Sequence, residues 1–169
     1  MARMEVSASG PVVAPASEVW DYLCDTSRYA EWVAGTDKVT RTDGPAREGS
    51  TYDEVNPIVG PWKGRSHWIV TSFDAPNRQA HRGEGIAPTV RWLEIEMAVT
   101  PAGEDVSEVT LTLSGESALG PLGALMFTAL KGQVERDNRK SVENLARLVA
   151  SEIGASLDAG SVAAIRDRT

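Results

Sequence analysis

Residues 121–153, PLGALMFTALKGQVERDNRKSVENLARLVASEI, decide the fold of this chain. Residues at spacings of three and four place an apolar stripe with one polar member along a single helix face: Leu122, Met126, Leu130, Val134, Asn138, Val142, Leu145 and Val149. At about 1.5 Å per residue such a helix is roughly 50 Å long, too long to be an ordinary cap on a small sheet. A curved sheet wrapped around it would bury the stripe and could leave unfilled space beneath it.

The segment before the middle of the chain predicts one strand followed by two short helices. Met4–Val13 alternates in polarity, as a half-buried strand does. In APASEVWDYLCDTSRYAEW (14–32), Pro15 suits the start of a helix, and Asp25 can cap a second helix that ends before Gly35. Both helices carry apolar residues toward a common core.

The middle of the chain predicts an antiparallel meander. Short segments of alternating polarity are separated by turns rich in proline, glycine, aspartate and asparagine. The segments are Lys38–Thr42, Thr51–Asn56, Gly64–Phe73, Arg78–Gly83, Arg91–Thr100 and Val106–Gly115. With the first strand they make a seven-stranded antiparallel sheet, packed on one face against a helix.

Composition excludes several classes of partner. A net charge of −7 and a pI near 4.9 argue against nucleic acid and against an anionic membrane surface. No apolar run reaches membrane-spanning length and no signal peptide is evident, so we expect a cytoplasmic protein without integral membrane association. The one cysteine, Cys24, is expected to be a small core residue. We expect one domain over residues 4–153 and a flexible tail over 154–169; the oligomeric state, monomer or homodimer, stays open.

Three stretches carry a resemblance to a known superfamily: VVAPASEVWDYLCDTSRYAEW (12–32), FDAPNRQAHR (73–82) and SVENLARLVASE (141–152). With the element order β-α-α-β-β-β-β-β-β-α, they resemble the SRPBCC superfamily, which includes START, Bet v 1-like and polyketide cyclase/dehydrase-type proteins. The resemblance implies an α+β helix-grip fold with a curved sheet around the C-terminal helix. The superfamily includes cyclases, aromatases, carriers of lipids and sterols, and hormone receptors, so function stays open.

Strand parity indicates which side chains face the space under the helix. If Tyr52 points inward, so do Glu54 and Asn56, whereas the charged neighbours of His67 place that histidine outside. The candidate ligand-binding residues are Trp32, Tyr52, Trp62, Trp68, Gln79, Met126, Leu130 and Asn138. An apolar chamber with a few polar groups is typical of small-molecule sites. The alternative is that the aromatic residues are plain core and that an inward His81 is structural.

The leading hypothesis is therefore the binding of a hydrophobic small molecule, such as a lipid, a sterol or a polyketide, between sheet and helix. The alternative is a cofactor-free polyketide cyclase, aromatase or dehydratase. In that case Glu54 and His81 would be the acid–base pair, provided they lie within about 3 Å of each other. No phosphate loop, nucleophile elbow or cofactor fingerprint is evident, and we expect no cofactor. The two histidines are assigned to opposite sheet faces, so we expect no metal site.

Overall fold

The computed structural model describes residues 2–59, 62–84 and 89–166, without the side chains of residues 58, 59, 62 and 155–166. Its element order is the predicted one. The strands are β1 (Ala2–Val12), β2 (Lys38–Thr42), β3 (Thr51–Val59), β4 (Trp62–Asp74), β5 (Arg78–Glu84), β6 (Val90–Pro101) and β7 (Ser107–Ser117). The helices are α1 (Ala16–Cys24), α2 (Tyr29–Trp32) and α3 (Pro121–Arg166), with a 3₁₀ turn (Thr26–Arg28) between α1 and α2.

The seven strands form one antiparallel sheet in the order β1-β7-β6-β5-β4-β3-β2. Strands β2 to β7 follow each other as a meander, while β1 pairs with β7 along its full length. The curved sheet closes around α3, which confirms the predicted helix-grip fold. A bulge interrupts the register of β4 between Val70 and Ser72. It lies beyond Trp68, so the alternation that turns Ser66, Trp68 and Val70 inward is preserved.

The two short helices cover one end of the sheet. Helix α1 buries Val19, Trp20 and Leu23. The Asp25 side chain accepts a hydrogen bond from the Ser27 backbone N–H at 3.1 Å and caps the 3₁₀ turn, as predicted. The chain then turns after α2 through Gly35, whose φ of +102° lies in the region that favours glycine.

Two apolar clusters hold the sheet and α3 together. The larger joins α1, α2, the sheet and the part of α3 around Leu145 and Val149. The smaller joins the start of β1 to Phe127 near the beginning of α3. Between them, Asn138 donates hydrogen bonds from Nδ2 to the Val6 carbonyl at 3.0 Å and the Leu111 carbonyl at 3.5 Å. The one polar residue of the stripe therefore ties α3 to β1 and β7.

The predicted buried stripe is wrong at Leu122, which is 69% exposed, and Leu130 is also 44% exposed. In an α-helix, residues four apart are offset by about 40° around the helix axis. Five such steps, from residue 122 to residue 142, therefore turn the stripe through about 200° around the helix. The helix instead meets the sheet through Gly123 and Phe127 at this end. Leu119, Leu122 and Leu125 are left facing solvent.

Helix α3 also continues to Arg166 instead of ending near Ile153. Gly154 does not stop it, since one glycine inside a helix costs only about 1 kcal/mol relative to alanine. No described helix combines the length and hydrophobicity needed to cross a bilayer. The limits of the domain and of its C-terminal tail remain predictions.

Replacing Gly123 with alanine should destabilise the fold. A Cβ there would clash with both Oγ and Cβ of Ser117, so α3 must move away from β7. We expect a loss of about 1–3 kcal/mol in the free energy of unfolding measured with urea. Gly132→Ala is the matched control, because its Cβ would meet only the end of Arg136 at 3.5 Å. That variant should gain up to about 1 kcal/mol, and equal changes in the two variants would contradict the close packing at Gly123.

Candidate functional site

Two adjoining chambers lie between the sheet and α3. The inner chamber has a volume of about 180 Å³ and the outer one about 370 Å³. They share five lining residues, which makes them neighbours: Gly35, Asn56, Leu93, Leu113 and Val134. Members of both apolar clusters line them, so the cavity occupies the place where the two clusters do not meet. A cavity of about 150 Å³ in another protein admits benzene, so a small aromatic molecule fits the inner chamber.

Alternation along the strands makes the chamber walls apolar. In β6 it places Leu93, Ile95 and Met97 on the inner chamber, and in β7 it adds Leu113. Val134 of α3 completes this wall, while Met126 and Leu130 line the outer chamber.

Aromatic side chains form the wall on the side of β3, β4 and α2. Tyr52 and Trp68 are directly paired across β3 and β4, and their rings stack at 6.2 Å between centroids. Tyr29 meets Tyr52 edge to face at 5.3 Å. All three line the inner chamber. The indole N–H of Trp68 donates to Ser66 Oγ at 2.9 Å, which fixes the ring position.

Glu54 is the carboxyl group set deepest in the inner chamber, with 4% of its surface exposed. It follows Tyr52 on the same face of β3, and the Asn56 amide donates to it at 3.5 Å. Burial raises the pKa of Glu54 to about 7, although hydrogen bonds from Thr36, Asn56 and Trp68 act in the opposite direction. Glu54 therefore exchanges a proton near neutral pH, inside an apolar chamber.

His81 is fully buried but lines neither chamber. It lies behind the aromatic wall, with Nδ1 at 3.0 Å from the Tyr52 hydroxyl and its ring stacked on Tyr29 at 6.0 Å. Burial lowers the pKa of His81 to about 3, so its imidazole is neutral at physiological pH. Its place fits the structural alternative.

The hypothesis of a direct Glu54–His81 pair is not supported by this geometry. On β4, Glu54 is level with Ser66 and His81 with Val70, four residues further along. This offset is about 13 Å along the strand, and two strand spacings add about 9.5 Å across the sheet. The described hydrogen bonds instead join Glu54 to Asn56 and His81 to Tyr52.

The other candidate residues divide between wall and core. Trp32 and Gln79 are buried but line neither chamber, and Gln79 donates its amide to the Leu23 carbonyl. Asn138 lines the inner chamber, although its Nδ2 is committed to the sheet. Trp62 belongs to β4, but its side chain lies outside the described part of the structure. His67 points outward, as predicted, and pairs with Asp53 at 2.6 Å.

Sequence reasoning missed the loop after α2 and the polar side of α3. Val33, Ala34 and Thr36 line the inner chamber because the turn at Gly35 folds this loop over it. Asp137 and Ser141 line it from α3. Spacing along the helix was the available signal, since residues three and four apart share a face. Ser141 lies three residues after Asn138, and Asp137 lies three after Val134 and four before Ser141.

No group of three or more His, Cys, Asp or Glu side chains suited to a metal ion occurs among residues 2–59, 62–84 and 89–166. Cys24 is half-buried, and burial raises the pKa of its thiol to about 12. The thiolate that would act as a nucleophile is therefore scarce at neutral pH.

Residues 2–150 match the family described as polyketide cyclase/dehydrase and lipid transport. The chain belongs to this family. Among its relatives, the uncharacterized protein Rv1546 of Mycobacterium tuberculosis is 29% identical over 145 residues, covering 85% of this chain and 98% of that protein. The toxin Rv0910 of the same organism is 28% identical over 151 residues, covering 89% and 99%.

Solved structures agree on the fold. The Zhui aromatase/cyclase from Streptomyces sp. R1128 superimposes with a TM-score of 0.74 at 18% identity. The match covers 89% of this chain and 96% of that protein. With only 18% of residues identical, this structural similarity confirms the helix-grip fold and no more.

Glu54 should make the stability of this family member depend on pH. Its pKa is near 4.5 in the unfolded chain and about 7 in the folded protein, so folding retains a proton between these values. The free energy of unfolding should therefore fall as pH rises through this window, by about 3 kcal/mol in all. Glu54→Gln, neutral at every pH, should lack this decline in urea unfolding at about pH 5 and about pH 8. Parallel pH profiles for the two proteins would contradict the raised pKa.

Proposed function

We propose that the protein binds a hydrophobic small molecule in the two chambers between the sheet and α3. The observation that carries the proposal is the unfilled space itself. Mainly apolar and aromatic side chains line a cavity of about 180 Å³, and the adjoining chamber adds about 370 Å³. Transfer of an apolar molecule from water to such walls is favourable, and the few polar groups would orient it. Membership of a family that includes lipid transport supports the proposal.

An increase in fluorescence of the neutral dye N-phenyl-1-naphthylamine would report occupancy. Saturable binding is expected, and Val134→Trp should weaken it at least about tenfold, because Val134 lines both chambers. Lys140→Trp is the matched control, since it places the same indole on the exposed side of α3. Should Val134→Trp fail to fold, Leu113→Phe fills the same space. Absence of saturable binding, or equal affinity in the filled and control variants, would contradict the proposal.

The second candidate function is polyketide cyclisation or dehydration, and the observation that favours it is Glu54. A carboxyl that titrates near pH 7 in an apolar chamber can remove a proton from a carbon between two carbonyls. It can then return that proton to a hydroxyl group that leaves as water. In this case His81 would be a positioning residue that acts through Tyr52, because it does not line the chambers.

On this second candidate, Glu54→Gln should lower turnover of a poly-β-ketone substrate by about 100-fold or more. His81→Gln can still hydrogen-bond to Tyr52 and should lose less than about tenfold. Measured turnover across pH should follow an ionisation near 7 in the unmodified protein. Turnover that is unchanged in Glu54→Gln would remove the carboxyl from the reaction and leave binding as the function.

A further inference from the structure

The described walls of the inner chamber carry negative charge and no positive charge. Glu54 lies deep in the chamber, and Asp137 lies on its α3 side, where it accepts hydrogen bonds from Gln133 at 2.8 and 3.0 Å. No lysine, arginine or histidine is among the described residues that line the inner chamber. Arg65 lines only the outer chamber and is exposed. An anion that enters the inner chamber would therefore meet two carboxyl groups. None of the described residues that line this chamber is a cation that could offset their charge.

Most polar groups of the inner chamber are already engaged. Asn138 donates to Val6, and the hydroxyls of Tyr29 and Tyr52 are engaged with Leu23 and His81. Ser141 donates to the Asp137 carbonyl at 2.8 Å and accepts from the Ala34 N–H at 2.9 Å. Except for the Ser141–Asp137 bond, which lies within α3, these bonds hold one element of the wall against another. They leave little capacity for a ligand.

Two neighbouring groups on β3 retain that capacity. The described donors to the Glu54 carboxyl are uncharged groups of Thr36, Asn56 and Trp68, with the Asn56 hydrogen bond at 3.5 Å. A carboxylate has about four acceptor sites, so it can still bond to a ligand. Oδ1 of Asn56 has no partner among the described residues. The two residues are two positions apart on one strand, so their Cα atoms are about 7 Å apart and their side chains share a face. The chamber therefore presents an acid group and a carbonyl acceptor side by side.

We infer that the inner chamber selects ligands whose polar head is an uncharged hydroxyl group and excludes carboxylate heads. This inference rests on the proposed binding function. A hydroxyl can accept a hydrogen bond from protonated Glu54 and donate to Asn56 Oδ1, and it can donate to Glu54 when that group is ionised. A ketone only accepts, so it loses its partner when Glu54 ionises. A carboxylate meets like charge in a site of low dielectric, where repulsion and desolvation both oppose binding.

The surroundings of Glu54 determine how this selection depends on pH. The titratable groups that line the chamber with it are Tyr29 from α2, Tyr52 from β3 and Asp137 from α3. Burial raises the pKa values of both tyrosines well above their usual range, so they stay neutral. Thr36, Asn56 and Trp68 contribute uncharged hydrogen-bond donors. Glu54 is thus the group whose charge changes near pH 7.

Three probes with a common naphthalene body test the inference: 2-naphthol, 2-acetonaphthone and 2-naphthoate. Their affinities are measured by displacement of N-phenyl-1-naphthylamine. The measurements are made one pH unit below and one pH unit above the Glu54 pKa of about 7. The naphthol, un-ionised at both pH values, should bind at least about tenfold more tightly than the naphthoate at each pH. The ketone should bind more weakly at the higher pH. Glu54→Gln should abolish that pH dependence. It should also reduce the difference in affinity between naphthol and naphthoate.

Lys140→Gln is the control for the loss of a cation away from the chambers. It should leave naphthol affinity unchanged, because Lys140 is exposed on α3 and lines neither chamber. Naphthoate that binds the unmodified protein within about threefold of naphthol would overturn the selection of head group, while the proposed function would stand. Failure of the neutral dye itself to bind would instead overturn the proposed function, and this inference with it.

Discussion

The position of α3 against β1 is the constraint on which the rest of the structure depends. Gly10 lets the helix approach closely, since a Cβ at that position would lie 3.0 Å from Val142. Asn138 then ties the helix to the carbonyls of Val6 and Leu111, and Gly123 allows a second close approach near Ser117. These contacts hold α3 against the edge formed by β1 and β7. The remainder of the concave face stays at a distance, so the chambers result from where the helix is held.

The fold could be predicted because each of its elements is specified locally. Alternation marked the strands, Asp25 marked a cap, and the long apolar period marked α3. The same alternation placed Tyr52, Glu54 and Trp68 on the concave face, because the register shifts lie beyond these residues, after Pro57 in β3 and after Val70 in β4. This reasoning fails at the start of α3. The spacing of three and four predicted that Leu122 faces inward, but Gly123 and Phe127 contact the sheet instead. Helix rotation accumulates over many turns, so a small error of period grows with length.

The site was less predictable, because strand parity reports the face of a side chain and not its depth or its partners. Gln79 and His81 were correctly placed inward, yet one donates to the Leu23 carbonyl and the other lies behind Tyr52. Both lie outside the chamber walls because α1 and α2 cover that end of the sheet. The loop that carries Thr36 has no periodicity at all, so its place in the wall followed only from the turn at Gly35.

Glu54 distinguishes this chamber from a plain gap in the core. Above pH 7 the ionised Glu54 carboxyl lowers the free energy of unfolding by about 3 kcal/mol. An apolar residue at this position would carry no such cost. The described partners of Glu54 are uncharged donors, and no lysine, arginine or histidine is among the described residues that line the inner chamber with it. A hydroxyl-bearing ligand would add a hydrogen bond to those that Thr36, Asn56 and Trp68 supply. Glu54 thus lowers the stability of the unliganded protein and, on the proposal above, favours ligand binding. A bound ligand would therefore raise the free energy of unfolding.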